Sequence, residues 1–148
     1  MKFGFRYFSY ISEELPIICK SVFNISSERE DTIIIGDSMG GYGALKCALS
    51  KPERYGYCCA FSSPCLFLKE DLDEHEILDL ANKIKDQSVR PDIYNACGTE
   101  DFMRDINVRF YNEMRNLNFT IEYEEWSGNH DWYFFNEALQ KALKKVLK

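Results

Sequence analysis

Apolar positions along this chain follow two rhythms. Short β-branched or aromatic runs alternate with longer stretches in which apolar residues return every three or four positions. Asp31 to Ile35, Tyr55 to Phe61, Pro91 to Cys97 and Thr120 to Trp126 read as strands. Tyr7 to Phe23, Met39 to Ser50, Lys69 to Lys85, Phe102 to Asn116 and Trp132 to Leu147 read as helices. Ser12 suits an N-cap of the first helix, and Glu13 and Glu14 favour a helix start there. Pro52 stops the second helix. Leu72, Ile77, Leu78 and Leu80 form the apolar positions of the charged third. Strand and helix alternate four times, which predicts an α/β fold: a mostly parallel sheet of about four strands with flanking helices on both faces. No repeat or low-complexity linker divides residues 1–148, so a single domain is expected.

The first predicted strand leads into Ile33-Ile34-Ile35-Gly36-Asp37-Ser38-Met39-Gly40-Gly41-Tyr42-Gly43-Ala44. An apolar strand, a G-x-S-x-G turn and a helix-forming run follow one another, and this context makes a five-residue string specific. A sharp strand-to-helix turn lifts the Ser38 hydroxyl above the end of a sheet. Glycine is expected at 36 and 40 because a Cβ there meets neighbouring backbone. The amide of Met39 opens the following helix and points at a developing oxyanion. Asp37, inside the turn, is expected to face away from the pocket as a local structural group.

A serine nucleophile needs a base, and the base needs a carboxylate that holds its tautomer. The chain has two histidines. His75 lies in Asp73-Glu74-His75-Glu76, a solvated face of the charged helix, and reads as a bystander. His130 lies in Ser127-Gly128-Asn129-His130-Asp131-Trp132, between the last strand and the last helix, where open α/β sheets gather their chemistry. It is the expected general base. Three carboxylates compete as its partner. Asp101 and Glu100 follow the third strand, and Asp131 is adjacent to the histidine, a position from which Nδ1 is hard to reach. Asp101 fits the chain order Ser, acid, His, with Glu100 as the fallback. Trp126, Trp132, Tyr133, Phe134 and Phe135 either line an acyl or aryl pocket or pack the last helix; Trp132 and Trp126 are the substrate-binding candidates.

Composition narrows the partners. A net charge of −6 argues against non-specific binding to nucleic acid or an anionic membrane, and no run approaches the roughly 20 apolar residues of a membrane span. Six cysteines (Cys19, Cys47, Cys58, Cys59, Cys65 and Cys97) lack C-x-x-C spacing and sit mostly in apolar runs. They read as free thiols in a reducing cytoplasm. Cys58 and Cys59, adjacent on a strand, should face opposite ways. Met1-Lys2-Phe3-Gly4 carries no apolar signal segment. No metal or organic cofactor is implied.

The sequence resembles the putative-esterase family of the α/β-hydrolases, which includes S-formylglutathione hydrolases, tributyrin-type carboxylesterases, feruloyl and acetyl-xylan esterases and mycolyltransferases. Gly36-Asp37-Ser38-Met39-Gly40-Gly41-Tyr42-Gly43-Ala44, Cys97-Gly98-Thr99-Glu100-Asp101-Phe102 and Gly128-Asn129-His130-Asp131-Trp132 carry the resemblance, with Tyr10 to Pro16 as a further match. It implies Ser38 as nucleophile, Asp101 as acid and His130 as base. The resemblance covers only the later part of the family fold. The first strands, the first helix and the loop that gives the second oxyanion amide have no counterpart here, and losing one such donor costs about 10² to 10³ in rate. The strand before Ser38, interior in the family, is then an apolar edge, which predicts a homo-oligomer formed through exposed strand edges or swapped elements, or a chain that depends on a missing partner segment.

The expected activity is hydrolysis of short acyl esters or thioesters, small-molecule substrates, through an acyl-enzyme. Two other readings stand beside it: transfer of the acyl group to an alcohol other than water, and a weakly active or inactive hydrolase-like interaction module.

Overall fold

The computed structural model describes residues 6–66 and 76–147. Four strands, β1 (Ile33–Asp37), β2 (Tyr57–Phe61), β3 (Asp92–Gly98) and β4 (Ile121–Trp126), form one sheet in the order β1-β2-β3-β4. Every neighbouring pair is parallel, with Ile35 beside Cys59, Cys59 beside Tyr94 and Tyr94 beside Glu122. Parallel neighbours need helical crossovers, and the 3.6-residue rhythm between the strands supplies them. These are α3 (Met39–Ser50), α4 (Glu76–Ile84) and α5 (Arg104–Asn116), while α6 (Trp132–Val146) follows β4. The reading of the third helix from Lys69, with Leu72 and the bystander His75, falls on residues 67–75, outside the described residues.

Two apolar clusters flank the sheet. One joins Cys58, Ala60, Ile93 and Ile121 to Leu45 and Leu49 of α3, Ile77 and Ala81 of α4, and Phe110 and Met114 of α5. The other joins Cys59, Phe61, Tyr94 and Ala96 to Phe134, Phe135, Ala138 and Ala142 of α6. Cys58 and Cys59 therefore serve opposite cores, as strand alternation requires. A fully buried leucine, isoleucine or phenylalanine contributes roughly 1.5–3 kcal/mol, so both faces of the sheet are held mainly by this burial. Asn118, past the C-terminus of α5, has φ 58°, the left-handed position at which asparagine is tolerated.

The N-terminal helix departs from the expected single run. It comprises α1 (Tyr7–Ser9), a π-helical turn (Tyr10–Glu14) and α2 (Leu15–Val22). Pro16 has no N–H and its ring crowds the carbonyl one turn back, which accounts for the widened turn before it. Ser12 is not an N-cap. It is buried inside this helix, and its Oγ donates to the Phe8 carbonyl at 2.7 Å.

β1 lies at the margin of the sheet. The Thr32 carbonyl accepts from Gly56 and the Ser38 N–H donates to Phe61, so by alternation the main chain of Ile33, Ile35 and Asp37 faces outward. Grooves flank this edge on both faces. One, of about 570 Å³, lies between α2 and β1 and is lined by Ile11, Leu15, Ile25, Ile33, Ile34 and Tyr55, among others. A smaller one, of about 330 Å³, lies toward α6 and includes Ile35, Asp37, Phe61, Trp132 and Phe135.

Candidate active site

The turn between β1 and α3 sets the position of Ser38. This residue has φ 49° and ψ −124°, a conformation that L side chains avoid and that costs roughly 1–3 kcal/mol. The turn closes because residue 36 is bare: a Cβ there would stand 2.2 Å from the Gly40 carbonyl oxygen. The matching expectation for Gly40 is not met, since no atom outside its own helix lies within 4 Å of a Cβ at that position. Gly41 takes that part instead, because a Cβ there would meet Ser63 Oγ at 1.8 Å. The Met39 amide begins α3 and has no carbonyl one turn back within the helix to bond.

The Ser38 Oγ lies 2.9 Å from His130 Nε2. On the other side of the ring, Nδ1 lies 2.9 Å and 3.2 Å from the two carboxylate oxygens of Asp101. The Asp101 side chain has no exposure to solvent, while that of His130 keeps 21%. Burial of the carboxylate strengthens its attraction for the imidazole. Phe102 and Phe135 bracket the imidazole, with ring centroids 4.8 Å and 5.1 Å away.

The remaining candidates lie elsewhere. Asp131, next to the histidine, caps α6: its Oδ1 accepts the N–H groups of Tyr133 and Phe134, both at 3.0 Å. Glu100 turns toward the backbone of the His130 loop, where its carboxylate accepts the Gly128 N–H. That bond and one from Thr99 hold its carboxyl below the usual carboxylate range. Asp37 ends β1 and lines the smaller groove. Trp126 is committed to α6, stacked on Phe134 at 4.5 Å, donating to Glu137, and covered by the Lys141 ammonium at 3.8 Å. Trp132 is 78% exposed and touches Phe135 edge-on, two rings from the imidazole.

A buried polar cluster beneath the site escaped the sequence reading. The Asn107 amide donates to the carbonyls of Ser63 and Met103 and accepts from Asn95, while Asp101 accepts the Met103 N–H at 2.8 Å. Asn107 thereby ties the loop after β2 to the turn that carries Asp101. A signal was available: Asn107 interrupts the buried stripe formed by Met103, at the N-cap of α5, with Phe110 and Met114 on the helix. Cys65 and Cys97 sit in the same region, and burial pushes the Cys97 thiol up to about 12, so it is protonated at neutral pH. Among the described residues no group of acidic, histidine and cysteine side chains is arranged to hold a metal ion, and no helix is long and apolar enough to cross a membrane.

A parallel α/β sheet with a serine on a strained strand-to-helix turn is the architecture of the α/β-hydrolases. The chain belongs to the Putative esterase family, whose model matches residues 5–146. It is 31% identical over 172 aligned positions to the acetyl esterase of Caldicellulosiruptor saccharolyticus, covering 97% of this chain and 65% of that protein. The S-formylglutathione hydrolase of Staphylococcus aureus superposes with a TM-score of 0.82 at 25% identity, covering 95% of this chain and 61% of that one. The fluorophosphonate-binding serine hydrolase F of the same organism superposes at 0.88 and 24% identity, over 99% and 65%; at that identity the likeness shows the fold alone. The chain thus spans just under two thirds of the length of these relatives.

Proposed function

We propose that this chain is the C-terminal portion of an α/β-hydrolase, one domain over residues 1–148, and that it hydrolyses short acyl esters or thioesters. One observation carries the reading: an unbroken line of hydrogen bonds from a buried carboxylate through an imidazole to a serine on a strained turn. Ser38 Oγ attacks the acyl carbonyl as its proton passes to His130 Nε2. Asp101 holds the Nδ1–H tautomer and offsets the charge of the imidazolium that forms. The Met39 amide donates to the oxyanion of the tetrahedral intermediate. Collapse of that intermediate returns the proton from Nε2 to the leaving alcohol or thiol. Water then repeats the sequence on the acyl-serine and releases the acid. Trp132, exposed beside Phe135, is the candidate wall for the substrate.

The family membership and the acetyl esterase relative support ester chemistry; the triad assignment rests on the geometry just described. Fluorophosphonate labelling of the wild type beside Ser38→Ala tests it. Labelling of the wild type alone is expected, and label retained by the alanine variant removes Ser38 as nucleophile. Labelling of neither favours an interaction module. Added acceptor alcohols separate hydrolysis from acyl transfer by the ester product they yield.

The same reading has two further elements. Self-association through the outward main chain of β1 is supported by its marginal position and the apolar residues around it, and light scattering at micromolar concentration tests it: a stable monomer overturns it. A reducing compartment such as the cytoplasm is supported by six free thiols, five of them buried.

A further inference from the structure

The residue beside the acid has a separate task. Between the end of β4 and the start of α6, residues 127–131 carry His130 on a short loop, and Glu100 grips that loop by its backbone. Its carboxylate accepts the Gly128 N–H at 2.5 Å and faces the Ser127 hydroxyl at 3.5 Å, and its own N–H donates to the Gly128 carbonyl at 3.1 Å. One residue therefore holds both polar groups of Gly128. The approach is close on the other side as well, since a Cβ on Gly98 would stand 2.1 Å from the Gly128 oxygen. Thr99 completes the seam by donating to the Trp126 carbonyl at 2.9 Å. The far end of the loop is fixed independently, where Asp131 caps α6.

We propose that Glu100 is a positioning residue for His130: it clamps the loop at Gly128 so that the imidazole sits between Asp101 and Ser38. The inference rests on the reading of His130 as the base. Consecutive residues of one turn divide the work, with Asp101 orienting the ring and Glu100 fixing the main chain two residues before it. The Ser38–His130 bond spans two loops from different strands, so a shift of either loop is felt directly at 2.9 Å. A misplacement of about 1 Å can cost on the order of 10²-fold in rate. A carboxylate gives a stronger acceptor for a backbone N–H than a neutral oxygen does. That chemistry explains an acid at this exposed position where a glutamine has the same reach.

The test compares Glu100→Ala and Glu100→Gln with the wild type. Three readouts are followed: kcat and KM on p-nitrophenyl acetate, hydrogen exchange of the Gly128 amide, and the ring Nδ1–H proton resonance of His130. Glu100→Ala is expected to exchange the Gly128 amide about tenfold faster or more, and to shift or broaden the ring proton. It should lower kcat by about tenfold to a hundredfold while KM changes by less than about twofold. Glu100→Gln, which keeps an acceptor oxygen, is expected to restore most of the rate. An alanine variant that melts earlier yet keeps wild-type exchange, ring proton and kcat at 25 °C overturns the proposal. If the alanine variant does not fold, the glutamine variant decides: a moved Gly128 amide resonance with exchange faster than wild type supports the clamp, and an unchanged one overturns it. A wild type inert toward ester and phosphonate whose Gly128 and His130 protons still respond counts against ester hydrolysis and for the clamp.

Discussion

The two outer strands of the sheet present opposite surfaces. β4 is a finished margin: Glu122 and Glu124 bind Lys145 at 2.6 Å and 2.8 Å, Lys141 reaches Glu124, and Arg104 forks onto Glu125. Charges of this kind on an edge strand discourage pairing with another chain. β1 has the composition of an interior strand, three isoleucines followed by glycine, and apolar grooves run along both of its faces. The exposed apolar residues Ile17, Val22 and Phe23 lie on and after the helix beside it. The chemistry is divided between these halves. Ser38 follows the open margin, while Asp101 and His130 follow β3 and β4, on the side bound together by polar contacts. Ser38, the proposed nucleophile, is held by local backbone geometry, and Asp101 and His130, the proposed acid and base, by a network.

The largest expected effect comes from disabling the network side alone. Asp101→Asn leaves the fold intact by circular dichroism and lowers kcat by about 10⁴-fold, because the imidazole loses its tautomer and its charge partner. Retention of more than a tenth of the activity would show that another carboxylate serves. Next come the two bare positions that let each half close. Gly36→Ala and Gly98→Ala each push a Cβ to within about 2.2 Å of a carbonyl oxygen. Each should destabilise by roughly 1–3 kcal/mol in urea unfolding. A neutral result at Gly98 would mean that the seam between the acid turn and the His130 loop tolerates being pried apart.

A charge on the open margin is a milder change. Ile35→Lys should abolish self-association in sedimentation velocity and leave β4 untouched, whereas Glu124→Val should promote association through the opposite edge. Equal behaviour of the two variants would erase the contrast between the margins. The smallest effect is expected from Lys145→Ala, about 1 kcal/mol or less, because its ion pairs are largely exposed. Acid tests the same contrast. Glu100, Glu124 and Glu125 are held below their ordinary value of 4.5 by hydrogen bonds from Gly128, Lys145 and Arg104 respectively. Their contribution is therefore complete above that pH and is lost as pH falls below it through the lowered values. Amide exchange near β4 should accelerate between neutral pH and about pH 3 relative to intrinsic rates, while β1, held by apolar burial, should change less.

Much of this arrangement is legible in the residues themselves. The four strands announce themselves through β-branched and aromatic runs, and Ser38 through the glycines around it, because both signals are local. The sequence order alone favours Asp101 over Glu100, but it cannot show that the two side chains turn to different targets. That distinction depends on how two loops separated by nearly thirty residues meet. Asp131 is hard to read for a related reason, since a carboxylate beside a histidine and a carboxylate capping a helix have the same local sequence. The bare position at Gly41, opposite Ser63, and the Asn107 cluster are products of long-range packing and leave only a polar interruption in an apolar stripe. The π-helical turn before Pro16 follows from a proline that the periodicity alone treats as neutral.

The strained backbone at Ser38 bears on how such a chain can lose its chemistry over evolutionary time. A glycine at position 38 would adopt φ 49° without the steric penalty of a side chain, so inactivation there is expected to leave the fold as firm as before or firmer. Folding quality control therefore has no means of detecting a dead copy. On the proposed reading, only demand for the reaction product selects for serine at this turn, and a population released from that demand would drift to an inert but durable molecule.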